Sequence, residues 1–328
     1  MSRELNLPRL ASYVLFFLAL VVIARFDLGP CALAALVSFM ILDITETRLR
    51  ALGIRQMPAR WAALAVFLIL ATALTWIFVQ FLSIGLNRMP VLLDTVLPRM
   101  TALSESYGLE FPVDNAREFR DLLVASAKEN TSSIGKTSGL LTRGFFQVIV
   151  GIVTAMLRFL TPVSRSHAGH LYDSLRLEFN ARVLLFMRSF ERVVCAQVGI
   201  STLNTALTAL FLHVMGFPFR SFLTLTTLVC GMIPVVGNII SNIFITAAGL
   251  TVSTHMAMFG LVYLIVIHKL EYILNSRIIG GSIDTPMWMT LMGLVVGEAL
   301  MGVPGVLLAP ALLHYAREEL RAISSSAD

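Results

Sequence analysis

The sequence predicts an all-α, polytopic integral membrane protein, and three observations carry that prediction. First, of 328 residues 57% are hydrophobic and only 14% charged, with a mean hydropathy of +0.81. A soluble domain needs about 25% charged residues to cover its surface. Second, apolar runs of membrane length recur along the chain. Third, the basic residues behind the formal net charge of +5 fall between those runs and form no dense tract. That spacing speaks for membrane orientation rather than nucleic-acid binding.

The elements follow in order. Arg3 and Arg9 precede "LASYVLFFLALVVIA", which imitates a signal peptide. The run has no A-x-A exit, and "CALAALVSFMIL" follows almost at once, so the pair reads as an uncleaved helical hairpin. Expected crossings are Leu10–Arg25, Pro30–Ile44, Trp61–Ile84, Phe145–Leu160, Val193–Val214 and His255–Leu274. A crossing needs about 20 apolar residues. Arg48, Arg50, Arg55 and Arg60 sit in the short loop after the second run, which places that loop and the N-terminus in the cytoplasm. Alternation then puts the arginines after the fourth run inside, and likewise Lys269 and Arg277, although none of them set the orientation.

The stretch 87–144 lands outside and carries mixed charge, as suits a small exported helical insert. Within it "VDNAREFRDLLVASAKE" reads as a helix capped by Asp114 or Asn115. Its "GKTS" lacks the upstream glycine and preceding strand of a phosphate-binding loop. Ser164–Arg192 is two-faced, with apolar residues alternating with arginines. It is expected along the cytoplasmic interface, where arginine can snorkel, or packed on the bundle or a neighbouring subunit.

Two apolar segments are interrupted: Phe219–Leu250 by "GMIPVVGN", and Pro286–Tyr315 by "GEALMGVPG" with Gly297, Gly302, Pro304 and Gly305. Neither half is long enough to cross at about 1.5 Å per residue. Each is expected to be a re-entrant hairpin, whose bent tip must be buried in protein or line a wet cavity. Alternation gives the two hairpins opposite orientations, the layout of an inverted-repeat transporter with its site near the midplane. Asn238 and Asn242 would add side-chain donors there; alternatively they join kinked helices of an ordinary bundle. The expected organisation is therefore three crossings in 1–86, the insert in 87–144, a crossing plus amphipathic segment in 145–192, and the paired helix-and-hairpin units in 193–328.

"MIPVVGNII" and "KLEYILNSRIIGG", followed by a proline and "GLVVGEALMGVPGVLLAPAL", resemble the two signatures of the autoinducer-2 exporter family of bacterial permeases. By match, the family positions fall on Pro234, Gly237, Glu271, Asn275, Gly280, Pro286, Gly302, Gly305 and Pro310. The chain departs from the pattern at Ser276, where the family usually has proline, and at Glu298, in a run of otherwise small residues. The resemblance implies a permease of the bacterial inner membrane for a small signalling molecule or a monovalent cation.

Among polar residues, His268 and Glu271 share a helix face at i, i+3 and could relay protons or merely anchor a helix end. Glu298 lies beside a hairpin tip, where a charge costs about 2.5–3.5 kcal/mol on insertion scales. Ion coupling, pairing with a buried arginine, or a wet-facing position would each account for it. Cys31, Cys195 and Cys230 lack metal-ligand spacing, and no cofactor or metal is expected. Expected partners are the bilayer, a small solute or cation and further copies of the chain, with no nucleic acid. An intramembrane enzyme would need a catalytic dyad that the sequence does not supply; a non-transporting scaffold is the other alternative.

Overall fold

The computed structural model describes residues 7–106, 134–161, 171–234, 236–278 and 286–324. The described residues form ten helices and no strand: α1 Leu7–Arg25, α2 Gly29–Ala51, α3 Gln56–Ser106, α4 Ile134–Leu160, α5 Leu171–Val214, α6 Arg220–Gly231, α7 Val236–Leu250, α8 Thr254–Ile278, α9 Met287–Met301 and α10 Val303–Ser324. Leu7–Arg25, Gly29–Ala51, Gln56–Met89, Thr142–Leu160 and Leu171–Val214 are long and apolar enough to cross a membrane. The chain is an all-helical, multi-pass membrane protein. The expected sixth crossing is carried by the 25-residue α8, whose side chains beyond Glu271 lie outside the description.

Two expectations about boundaries change. The helix that carries the third crossing does not end near Ile84. α3 runs on through Asn87 and Arg88 to Ser106, 51 residues in all, so the first twenty residues of the expected insert continue a helix. The helix expected at "VDNAREFRDLLVASAKE" lies outside the described residues, whereas "GKTS", expected in a flexible return, falls in the first turns of α4, with its side chains outside the description. The amphipathic segment is likewise not a separate element. It is the first half of the 44-residue α5, which contains no proline and one glycine and so has nothing to break it.

The described residues divide into two compact units. The first draws on Met1–Thr72, Thr142–Cys195 and Ile283–Asp328. Its core holds Phe16, Met40, Phe186, Phe190, Leu308, Ala311 and Tyr315, with a second cluster around Leu42, Ala63, Phe67 and Phe159. A side chain at Gly151 of α4 would strike the Cys31 carbonyl of α2, so these backbones meet directly. Arg182 does not snorkel. It is buried, ion-paired with Glu319 at 3.4 Å and Glu178 at 2.9 Å, and lies over the Tyr13 ring, whose hydroxyl donates to Glu319 at 2.5 Å.

In the same unit α9 and α10 form an antiparallel hairpin. Gly297 faces Gly305, and Gly293 faces Ala309 and Leu313. The turn rests on Gly302, at φ +63° and ψ −144°, a conformation essentially confined to glycine. Pro304 follows in the first turn of α10, where its missing N–H costs nothing. Pro310 lies inside α10, a position membrane helices tolerate when neighbours satisfy the freed carbonyl.

The second unit comprises Ala73–Leu141 and Ala196–Ser282. Its core gathers Leu92, Val96, Leu212, Phe217, Phe222, Leu223, Ile245, Ala248, Leu264 and Ile267. α6 and α7 form the other antiparallel hairpin, with the Phe222 and Phe244 rings in edge contact near its open end. At its tip a Cβ on Gly237 would collide with the Cys230 carbonyl, so only glycine fits. At about 1.5 Å per residue, the 12 residues of α6 reach about 18 Å, well short of the roughly 30 Å hydrocarbon core. α8 then returns along α7: Gly249 meets Ala257, Gly260 meets Ile245, and Ser253 Oγ caps α8 by accepting the Met256 N–H at 3.1 Å.

Candidate functional site at the first hairpin break

The antiparallel run of α7 and α8 sets Asn238 and Asn242, one turn apart on α7, opposite Glu271 and His268, one turn apart on α8. Asn238 Nδ2 donates to Glu271, 3.1 Å from each carboxylate oxygen. Asn204 of α5 donates to Oε2 at 3.2 Å. His268 Nδ1 is 3.3 Å from the same oxygen, and Asn242 Nδ2 is 2.7 Å from His268 Nε2. The Glu271 side chain is 14% exposed and the imidazole 36%.

The imidazole thus bridges the Asn242 amide and the Glu271 carboxylate, one ring nitrogen toward each, and the tautomer decides which nitrogen carries the proton. Asn204 and Asn238 each spend Nδ2 on the carboxylate, and their Oδ1 atoms accept nothing among the described residues.

α5 also repairs the break itself. Gln197 Nε2 donates to the Gly231 carbonyl at 2.8 Å, and Ser201 Oγ donates to the Leu228 carbonyl at 3.1 Å. These are end-of-helix carbonyls that lipid cannot satisfy. Farther along, Thr208 Oγ1 and the Tyr263 hydroxyl are 3.0 Å apart. Gln197, Ser201, Asn204 and Thr208 recur at i, i+4, i+7 and i+11, one polar stripe on an apolar helix. Sequence reasoning missed Asn204; that period within the expected fifth crossing was the signal that could have found it.

The other predicted positions fall as follows. Pro234 occupies the turn between α6 and α7, and Pro286 the N-cap position of α9. Asn275 lies in α8, but its side chain is outside the description, and Gly280 lies outside the described residues. Gly297, Gly302, Pro304, Gly305 and Pro310 build the second hairpin. Glu298 is on α9 in the first unit, exposed among Val295, Val296 and Leu300, with no side-chain partner among the described residues. Glu271, His268, Asn238 and Asn242 are thus brought together, and Glu298 is not among them.

Residues 10–324 match the family described as AI-2E family transporter. The chain is also 30% identical over 125 residues to YdbI of Bacillus subtilis (strain 168), which is provisionally named a transport protein. That match covers 38% of this chain and 36% of the relative, about a third of its length.

Proposed function

The chain belongs to the AI-2E family of transporters, and on that premise we propose that it moves a small solute or a monovalent cation past the tip of the α6–α7 hairpin, with Glu271 and His268 coupling the movement to protons. The observation that carries this reading is a mostly buried carboxylate wrapped by two amides and an imidazole at a helix break. Free amide oxygens beside a carboxylate suit a hydroxylated solute or a weakly hydrated cation, and the imidazole in contact with that carboxylate supplies a second group through which a proton can pass. Membership of a transporter family supports transport over catalysis.

The finer reading extends to topology and assembly. Both hairpins re-enter the bilayer from opposite faces, the termini are cytoplasmic, and the membrane is the bacterial inner membrane. The four-part organisation at 1–86, 87–144, 145–192 and 193–328 is retained as a functional division, with the signature half carrying transport. Glu298 supports homo-oligomerisation: a carboxylate on an exposed apolar helix face is costly against lipid and cheaper against a second copy.

The test uses protein in vesicles with a trapped pH-sensitive dye and imposed sodium, lithium or potassium gradients. Wild type should move protons in response to one of them. Glu271→Gln should insert, stay folded and lose that response, while Glu298→Gln keeps it. An unchanged response in Glu271→Gln removes this site from the mechanism.

A further inference from the structure

Two adjoining cavities of about 580 and 720 Å³ open on the second unit and share Ile84, Arg220 and Ser221. Three helices line them, and each changes character along its length. On α3 the lining passes from Trp76 and Ile77 to Asn87 and Arg88. On α6 it passes from Leu228 and Leu225 back to Ser221 and Arg220 at the helix start, and on α5 from Ala209 to His213. The polar members are adjacent: Arg220 Nη1 is 3.2 Å from His213 Nδ1, and Arg88 and Arg220 line the same cavity. The groove therefore has one cationic end and one apolar end.

Among the described residues the polar end has no internal counter-charge. Among the described residues neither Arg88 nor Arg220 forms an ion pair, and no carboxylate lines either cavity. The start of α6 adds to the positive potential, since Phe219 at its N-cap offers no side-chain acceptor to the first N–H groups. The length is informative too. Trp76 to Arg88 is twelve residues, about 18 Å along a helix, close to one leaflet of acyl chain with its headgroup.

We propose that this groove is a binding site for an anionic phospholipid, with the phosphodiester held between Arg88, Arg220 and the α6 N-terminus, and one acyl chain lying over Ile77, Ile84 and Leu225. Arginine suits phosphate because its planar fork presents paired donors. A free phosphate would use the cationic end alone and leave the apolar end unfilled; a zwitterionic lipid would bring its own cation to the arginines. The assignment is independent of the transport reading, because it concerns a different surface of the unit and needs no flux.

Trp76 serves as the reporter. In a Trp61→Phe, Trp288→Phe background it is the sole tryptophan of the three in the chain. The full-length protein is placed in phosphatidylcholine vesicles containing a minor fraction of phosphatidylglycerol with brominated acyl chains, which quench nearby indole. Enrichment of the anionic lipid at Trp76 over brominated phosphatidylcholine is expected on the order of tenfold, from two arginines near a phosphate. Arg88→Gln with Arg220→Gln should bring it below about twofold. Arg88→Lys with Arg220→Lys should retain most of it, which separates lost charge from lost fold. Equal quenching by the two lipids in the wild type would overturn the assignment. So would loss of quenching on adding inorganic phosphate, which marks a free-anion site, and so would absence of quenching by either lipid, which marks a groove covered by another copy.

Discussion

If Asn204 holds the Glu271 carboxylate, removing either partner should change what the other is worth. Asn204→Ala strips one of three side-chain donors from a carboxylate that is 14% exposed. A hydrogen bond to a charged group contributes about 1.5–3 kcal/mol, whereas neutral side-chain bonds between membrane helices average about 0.6 kcal/mol. The 3.2 Å bond therefore predicts that Asn204→Ala destabilises the wild type by about 2 kcal/mol. Glu271→Gln should be nearly neutral. It loses charge-assisted bonds but also relieves a burial cost of about 2.5–3.5 kcal/mol. In the Glu271→Gln background, Asn204→Ala should cost only about 0.6 kcal/mol. The coupling energy is the difference, roughly 1.4 kcal/mol on those two figures. Unfolding of the four proteins in one detergent, followed by the loss of monodisperse material, gives the cycle. A coupling below about 0.5 kcal/mol is the additivity expected of independent sites. That result would refute the idea that the α5 stripe organises the carboxylate.

Other expectations can be tested alongside. Gly305→Ala should destabilise by about 2 kcal/mol or more, because its Cβ lands on the Gly297 carbonyl; Gly199→Ala, whose Cβ meets nothing within 4 Å, should stabilise by about 0.5–1 kcal/mol, both read from thermal unfolding. Glu319→Gln leaves Arg182 buried beside a neutral amide and should cost about 3 kcal/mol, recovered in part by Arg182→Met with Glu319→Leu. Cysteines at Arg220 and Thr251 should both react with an impermeant reagent from the same face of sealed vesicles; labelling from opposite faces would show that α6 and α7 cross rather than re-enter.

What the sequence could disclose depended on how local each cause was. The breaks at Pro234 and Gly302 were legible because proline and a positive-φ glycine end helices by their own chemistry. The pairing of His268 with Glu271 was legible because i, i+3 fixes a shared face. The long α3 and α5 were harder. A change from apolar to mixed composition at Asn87, with Gly85 before it and Pro90 after it, resembles the end of a crossing, yet α3 runs on through both to Ser106. Arginines in 171–192 have the same local pattern whether they meet headgroups or protein. Arg182 is decided by Glu319, 137 positions later. Asn204 was overlooked for the same reason, since its acceptor lies 67 residues away. Glu298 drew attention as an isolated charge, while Glu271, less conspicuous among polar neighbours, is the carboxylate with an assembled environment.

The polar stripe on α5 bears on how the protein is made. Chains enter a membrane from the N-terminus onward, so α5 is already present when the α6–α7 segment emerges. Gln197 and Ser201 can then receive the Gly231 and Leu228 carbonyls as the break forms, and the bend never has to wait unpaired in lipid. Glu271 arrives last, on α8, into a place where Asn204 and Asn238 are waiting with their amide protons. The order of synthesis thus delivers donors before the acceptor charge. A chain halted at Leu250 would hold a closed bend and three idle amides, Asn204, Asn238 and Asn242, whose partners on α8 have yet to be made.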